Sequence, residues 1–237
     1  MSGLIIKQNL ILPAVDLILK KLQSLGSEES KAGMSRFGIN VERAYGVSVP
    51  NLRKVAKEIG KDHELALKLW DSEIHEARIL ASMIDDPRKV TETQVDSWVH
   101  DFDSWDVCDG ACGNLFDNTQ FAYSKAIEYS TRREEFVKRA GFVLMAELAV
   151  HNKEMTDDKF LSFLPIILRE SNDDRNFVKK AVNWALRQVG KRNLRLNKAA
   201  IKTAQRISKL GSKSTRWISS DALRELTSKG VQSRLKP

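Results

Sequence analysis

Helix start and stop signals recur from one end of the chain to the other, whereas strand signals do not. Pro50 stands where the first turn of a helix tolerates proline, and Gly60 follows as a stop signal. Thr91 and Gln94 have the spacing of a capping box ahead of an apolar run. No segment alternates apolar and polar residues as a half-buried strand does, and no Asn-Gly or Asp-Gly turn joins two such segments. The sequence therefore predicts an all-α protein.

A short internal repeat indicates how the predicted helices are arranged. Glu135–Ala140 (EFVKRA) recurs 41 residues later as Asn176–Ala181 (NFVKKA). A period near 40 residues is typical of HEAT and armadillo repeats, in which each unit is a pair of helices. Stacked pairs form a curved superhelix, or α-solenoid, whose second helices line a concave surface. We expect such a curved superhelical stack of HEAT-like helix pairs rather than a four-helix bundle. Since no Gly/Ser/Pro-rich linker divides the chain, we expect one domain over residues 1–237.

Composition narrows the class of protein. With 30% charged and 42% hydrophobic residues, the chain is globular rather than disordered. Two cysteines exclude a disulfide scaffold, and no apolar run approaches the roughly 20 residues that a membrane span needs. The apolar stretch Leu4–Leu19 is interrupted by polar residues, which favours a helix face over a signal peptide. We therefore expect a cytoplasmic protein with reduced thiols and no membrane contact. A monomer is our first hypothesis for its oligomeric state.

The net charge of +8 is unevenly distributed. Residues 1–130 contain 15 basic and 20 acidic residues, whereas residues 131–237 contain 24 and 11. Residues 175–220 hold 13 Lys or Arg and no acid at all. Such asymmetry indicates an anionic partner, because a face kept for solubility normally mixes both signs, and nucleic acid is the partner we expect.

Five cations in the helix predicted after Gly190 recur every three or four residues, which places them on one helical face. We call this set the basic stripe: Arg195, Lys198, Lys202, Arg206 and Lys209. Like charges at this spacing repel, so the stripe favours contact with an anion. The opposite face carries small and aliphatic residues suited to packing, which favours a DNA or RNA backbone over a membrane surface. Arg175, Lys179, Lys180 and Arg187 extend the basic region one helix earlier.

Sequence motifs for metals and cofactors are missing. The four histidines show no paired metal spacing, and no phosphate-binding loop or dinucleotide motif occurs. Cys108 and Cys112 lack a second pair at zinc spacing, so we expect them to be small packing residues. The sequence therefore predicts no bound metal and no cofactor, including nucleotide cofactors.

Residues 101–110 place four acids around one tryptophan. On a helix, Trp105 and Asp109 lie one turn apart on the same face, where they would present an aromatic surface beside a negative charge. The alternative is a buried tryptophan next to acids that suit a helix N-terminus, and spacing alone favours this alternative. Trp184 poses the same question, since it takes the place of Val143 in the repeat within a basic helix. Core packing and contact with DNA sugars and bases are both compatible with its position.

Three segments, taken in order, resemble the AlkD-like DNA alkylation repair family, whose members are HEAT-like-repeat DNA glycosylases. These segments are Ser104–Asp109 (SWDVCD), Arg139 within Lys-Arg-Ala, and Lys179–Arg187 (KKAVNWALR). The loop Gly46–Pro50 (GVSVP) also matches, and it precedes an early helix. The resemblance covers essentially the whole chain, including its length.

The resemblance implies an enzyme that hydrolyses the N-glycosidic bond of cationic N3- and N7-alkylated purines in double-stranded DNA. The family's aromatic–carboxylate pair falls on Trp105 and Asp109, its active-site arginine on Arg139, and its second aromatic residue on Trp184. Asp109 would stabilise the oxocarbenium charge on the deoxyribose and orient the attacking water. The two tryptophans would flank the sugar, and Arg139 would hold a phosphate. Members of the family are thought to work without burying a flipped base.

DNA contacts are expected from Ser48 in the matched loop, from Lys179, Lys180 and Arg187, and from the basic stripe. Two departures from the family pattern stand out. Better-known members carry Trp where this chain has Ser104, and often Gln-Thr where it has Ser48-Val49, so one ring and one hydroxyl are missing. The family also includes members that bind unusual or branched DNA without glycosylase activity. A non-catalytic protein that binds damaged or branched DNA is therefore the alternative, and a scaffold for an acidic protein is a third hypothesis.

Overall fold

The protein is helical throughout the part that its computed structural model describes, which is residues 2–236, with side chains from residue 14 onwards. No strand occurs in this range, so the prediction of an all-α chain is confirmed. A 3₁₀ turn, Phe116–Asn118, follows the seventh of fourteen α-helices. The helices are α1 (Ser2–Leu25), α2 (Glu28–Arg36), α3 (Val49–Ile59), α4 (His63–Asp71), α5 (His75–Ile84), α6 (Glu92–His100), α7 (Trp105–Asn114), α8 (Ala122–Tyr129), α9 (Glu135–His151), α10 (Asp157–Glu170), α11 (Asn176–Gly190), α12 (Leu194–Ser208), α13 (Lys213–Leu226) and α14 (Lys229–Gln232).

Local start and stop signals place several of these helix ends. Pro50 lies in the first turn of α3, and Gly60 ends that helix with φ of 75°, a conformation that glycine adopts without a steric penalty. Thr91 caps α6, because its hydroxyl accepts the Gln94 N–H at 3.1 Å. The Gln94 side chain donates to Asp85 Oδ2 at 2.6 Å. Only the Thr91 half of the capping box therefore forms, since the Gln94 side chain makes a tertiary contact instead.

Two compact units make up the chain, Met1–Leu115 and Phe116–Pro237. In the first unit, α5 packs against α3 and α7, while α4 packs against α1 and α5. Trp70 of α4 stacks on Trp98 of α6, with ring centroids 3.9 Å apart. The helices of this unit therefore form two rows, with α1, α4 and α6 in one and α3, α5 and α7 in the other.

No helix of the described residues is long and apolar enough to cross a membrane.

In the second unit, helices α8 to α13 form three successive pairs, α8 with α9, α10 with α11 and α12 with α13. The second helices pack side by side, α9 on α11 and α11 on α13. Two contacts show that α9 and α11 run parallel: Arg175 Nη1 donates to the Arg133 carbonyl at 2.6 Å, and the Phe136 and Phe177 ring centroids lie 5.6 Å apart. Because Glu135 and Asn176 are the first residues of α9 and α11, the 41-residue repeat and the predicted stack of helix pairs are confirmed.

Glycine lets one helix of a pair approach the other closely. A Cβ at Gly141 of α9 would lie 2.4 Å from the Ser130 backbone nitrogen at the end of α8. Real Cβ atoms essentially never come this close to backbone, so any larger residue would push the two helices apart. The position of α8 against α9 therefore depends on Gly141.

Candidate functional site

The predicted aromatic–carboxylate pair lies at the start of α7. Trp105 is the first residue of this helix and Asp109 follows one turn later; both are half-buried. The Trp105 indole N–H donates to the Phe37 carbonyl at 3.1 Å, which fixes the ring against the end of α2. Ser104, where better-known family members carry Trp, is fully buried, and its hydroxyl accepts the Asn40 N–H at 2.8 Å. The missing aromatic ring is thus replaced by a hydroxyl that joins the start of α7 to the loop between α2 and α3.

Trp105 and Asp109 line one pocket of about 610 Å³, together with Ser48 and Val49. Ser48 is the exposed N-cap of α3, and its hydroxyl makes no capping bond to that helix. The structure therefore brings three residues of the predicted site, and the Val49 departure, to one place in the first unit. The apolar part of the wall is formed by Met34, Phe37, Ile39, Val47, Val49 and Ile79.

A second carboxylate, Asp106, lines the same pocket and is held by His75. The His75 Nε2 atom lies 2.9 Å from Asp106 Oδ2, and Asp106 Oδ1 accepts the Val107 N–H at 3.0 Å. Burial opposes the charge on His75, but the hydrogen bond and negative charge of Asp106 outweigh it and raise the pKa of His75. The pocket therefore combines apolar walls with two carboxylates, Asp106 and Asp109.

The loop that carries Ser48 is fixed by a buried glutamate. Glu76 of α5 accepts three backbone hydrogen bonds, from Tyr45 at 2.9 Å, Gly46 at 2.7 Å and Val47 at 3.1 Å. Gly46 has φ of 80°, a conformation that favours glycine, and a Cβ there would lie 2.2 Å from the Ser27 carbonyl oxygen. No role for Glu76 or His75 was predicted from the sequence. His75–Arg78 (HEAR) is an imperfect copy of the repeat at the wrong spacing for a strict period, so the sequence signal for either residue was weak.

Arg139 and Trp184 belong to the second unit, on α9 and α11. Arg139 is 6% exposed, and its Nη1 donates to the Phe177 carbonyl at 2.6 Å, so part of the guanidinium joins α9 to α11. Trp184 is half-buried. On the same helix, Lys180 is exposed and Lys179 is half-buried. The contact of Arg139 with a phosphate therefore stays a prediction, as does that of Trp184 with a sugar.

The other predicted DNA-binding cations divide between two helices. Arg187 of α11 forms an ion pair with Glu225 and lies 3.6 Å from Asp221, both on α13. The basic stripe lies on α12 and the residue that ends it, and all five of its side chains are exposed. Arg195 of the stripe pairs with Asp158 of α10, with Nη2 2.7 Å from Oδ1. The stripe thus lies on a first helix of its pair, whereas Lys179, Lys180, Trp184 and Arg187 lie on a second helix.

One group of three side chains in the described residues lies close enough together to hold a metal ion: Asp117, Glu147 and His151. His151 Nδ1 lies 2.6 Å from Asp117 Oδ2 and 3.6 Å from Glu147 Oε2, distances of an imidazole paired with carboxylates. Burial raises the pKa of Asp117, although the hydrogen bond from His151 opposes this. Cys108 and Cys112 are both buried and form no disulfide, so their predicted packing role is confirmed.

Comparisons with known proteins bear on the fold and on the family of the chain. None of the curated proteins matches the chain. A solved structure is similar to it with a TM-score of 0.75 and 20% sequence identity, over 89% of this chain and 95% of that one. That protein is described as one of a new family of proteins related to the HEAT-like repeat DNA glycosylases, with affinity for branched DNA structures. At this identity the likeness shows a shared HEAT-like repeat fold. The family described as DNA alkylation repair enzyme matches residues 18–226. Because this match spans most of the sequence, the chain belongs to the DNA alkylation repair family.

Proposed function

We propose that this protein is a DNA glycosylase that hydrolyses the N-glycosidic bond of cationic N3- and N7-alkylated purines in double-stranded DNA. The observation that carries the proposal is the shared pocket of Trp105 and Asp109. A carboxylate beside an aromatic face at an apolar surface suits a reaction whose substrate and transition state are both cationic. Family membership supports the same reaction class.

The chemistry needs few protein groups. The alkylated purine already carries a positive charge, so the bond between its nitrogen and C1′ breaks without a general acid. The bonding electron pair neutralises the departing base, and positive charge develops on the deoxyribose. Asp109 stabilises this charge and orients the water whose oxygen forms the new bond to C1′. The Trp105 ring, held through its indole N–H, presents its face to the same cation.

The two carboxylates of the pocket, Asp106 and Asp109, are given different roles in this proposal. Asp106 is hydrogen-bonded to an imidazole whose pKa is raised, so its negative charge is partly balanced within the protein. Asp109 is the other carboxylate of the pocket, one turn along the helix from Trp105. We assign the catalytic carboxylate to Asp109 because it shares a helix face with Trp105, and a positioning role to Asp106 because it holds His75.

For DNA binding, we propose that Ser48 contacts the backbone from the first unit. In the second unit the same role is proposed for Arg139, Trp184 and the predicted cations of α11 and α12. Phosphate neutralisation by several cations makes affinity fall steeply with salt. Neither a metal nor a cofactor has a part in the proposed reaction.

The test measures release of 7-methylguanine from a methylated duplex under single-turnover conditions. We expect D109N to lower the rate by about 100-fold or more, the scale of removing one charge interaction from the transition state, while duplex affinity changes little. Asp103 gives the matched control, because it is exposed in the same acidic segment but hydrogen-bonds to Asn40 outside the Trp105 pocket. D103N should react like wild type. Equal rates for D109N and wild type would remove Asp109 from the mechanism.

A second candidate function is non-catalytic binding of branched DNA, favoured by the description of the structurally similar protein. It predicts no base release from any alkylated substrate and salt-sensitive binding to four-way or forked DNA. Incubating the wild-type protein with methylated genomic DNA and identifying released bases by mass separates the two functions. A protein scaffold, the third hypothesis, predicts no DNA affinity at physiological salt.

A further inference from the structure

An exposed tryptophan on α13 has no part in the site described above. Trp217 is 41% exposed, whereas most large apolar side chains of the second unit are buried. The Lys179 ammonium of α11 lies over its ring, 5.8 Å from the centroid. An aromatic face next to a cation at the surface combines two of the contacts that single-stranded nucleic acid uses, stacking and phosphate binding.

The position of Trp217 in the repeat relates it to two residues already proposed to bind DNA. It is the fifth residue of α13, as Lys180 is the fifth of α11 and Arg139 the fifth of α9. These three second helices pack successively against one another. Equivalent positions of parallel neighbouring helices project to the same side of a helical stack. Counted from the helix starts, Trp217 therefore falls within one residue of the position that Arg139 and Lys180 occupy.

The contacts between α11 and α13 give the register directly and place Trp217 opposite Lys179, one residue before Lys180. Asn183 Nδ2 donates to Asp221 Oδ2 at 2.7 Å, and four residues further along both helices Arg187 pairs with Glu225. The contact of Lys179 with Trp217 is the preceding step of the same ladder. Because both residue numbers rise together by four, the two helices are parallel and in register.

The charge around Trp217 favours an anionic partner. Lys213 and Arg216 are exposed on the first turns of the same helix, and residues 175–220 contain no acid. The first acid after Trp217, Asp221, is engaged by Asn183 and by Arg224. A membrane surface would demand a broad apolar face, which a single tryptophan among cations does not supply.

We propose that Trp217 is a stacking platform for an unpaired base of DNA, with Lys179 beside the adjoining phosphate. The proposal rests on the DNA binding proposed above and is independent of base excision. A base that is paired and stacked within a duplex offers no free face, whereas a base in a single-stranded arm or at a branch point does. The expected ligand is therefore DNA with unpaired nucleotides.

The experiment compares fluorescence anisotropy titrations of three DNAs: a blunt duplex, a fork with unpaired thymidine arms, and the same fork with abasic arms. Losing one stacked base costs about 1–3 kcal/mol, so W217A should bind the thymidine fork roughly 5- to 150-fold more weakly than wild type. W217F keeps a ring and should lose less. On the abasic fork and the duplex, W217A and wild type should bind alike, because only phosphate contacts remain.

Leu210 provides the matched control, since it is another exposed large apolar side chain of the second unit, and L210A should leave all three affinities unchanged. Thermal unfolding of each variant confirms that it is folded. Equal affinity of W217A and wild type for the thymidine fork would overturn the role of Trp217. So would a loss of equal size on all three DNAs. If wild type binds none of the three DNAs, the proposed DNA binding itself is wrong. If wild type binds them and W217A binds equally well, only the role of Trp217 is wrong.

Discussion

The buried carboxylate of Glu76 accepts a hydrogen bond from the Gly46 N–H at 2.7 Å, joining α5 to a loop 30 residues earlier in the chain. The same carboxylate accepts the N–H groups of Tyr45 and Val47, so one side chain satisfies three consecutive backbone donors. Ser48 and Val49 follow directly and line the Trp105 pocket. Glu76 therefore holds one wall of the pocket without contacting its interior.

Replacing this glutamate with glutamine tests that role. In E76Q an NH₂ group takes the place of one acceptor oxygen, so at least one buried backbone N–H loses its partner. We expect unfolding free energy to fall by about 1–3 kcal/mol, measured by chemical denaturation. The control is E58Q, which removes an exposed ion pair with Lys21 and should cost less than about 1 kcal/mol. Equal costs for both variants would contradict the anchoring role.

The pair of His75 and Asp106 predicts a pH dependence of stability. Because the pKa of His75 is raised in the folded state above its ordinary value of 6.5, the folded protein binds this proton more tightly than the unfolded chain. The stabilisation is complete below pH 6.5 and is lost as pH rises through the folded pKa. The unfolding midpoint of wild type should therefore exceed that of D106N most at low pH, with the gap closing as pH rises.

That comparison uses thermal unfolding between pH 5.5 and 8.5. H100Q serves as the control, since His100 is exposed at the end of α6, and its difference from wild type should not follow pH in this way. A gap between wild type and D106N that stays constant over the whole range would show that the pair contributes no proton-linked stability.

The basic stripe on α12 predicts a change in the salt dependence of DNA binding. Neutralising three of its exposed cations in K198Q/K202Q/R206Q should reduce duplex affinity and lower the slope of log K against log salt by about 0.9 for each phosphate that the variant no longer neutralises. The affinity is measured at several salt concentrations. A control of equal charge change uses three exposed lysines of the first unit, K20Q/K68Q/K89Q. If both variants lower the slope equally, the stripe has no specific contact with DNA.

Local sequence patterns were sufficient to predict the structure where the interacting residues are close in sequence or occupy equivalent repeat positions. Trp105 and Asp109 share a face because they lie one turn apart, and helix geometry alone fixes that relationship. The 41-residue repeat located the starts of α9 and α11 because equivalent residues make equivalent packing contacts in successive pairs. The predicted packing role of Cys108 and Cys112 was also right, since both fall on the buried side of α7.

Sequence patterns did not reveal which partner a side chain takes where two were available. Gln94 had the spacing to complete a cap with Thr91, yet its amide donates to Asp85. Arg187 and Arg195 belonged to an apparently uniform basic region, but Glu225 and Asp158 from neighbouring helices pair with them. The exposure of Trp217 cannot be inferred from helical spacing, because several faces of its helix are covered by different neighbours.

The sequence by itself determined that the chain is helical, that its helices come in pairs with a period near 40 residues, and which helix carries the aromatic–carboxylate pair. These properties depend on hydrogen bonds and side-chain spacing within about one turn or one repeat. Only the tertiary structure decided which polar groups meet across helices. The partners of Glu76, His75 and Ser104 lie 29 to 64 residues away along the chain. Packing of α5 against α7, and of both helices against the loop between α2 and α3, brings these partners together, and no local rule specifies such distances.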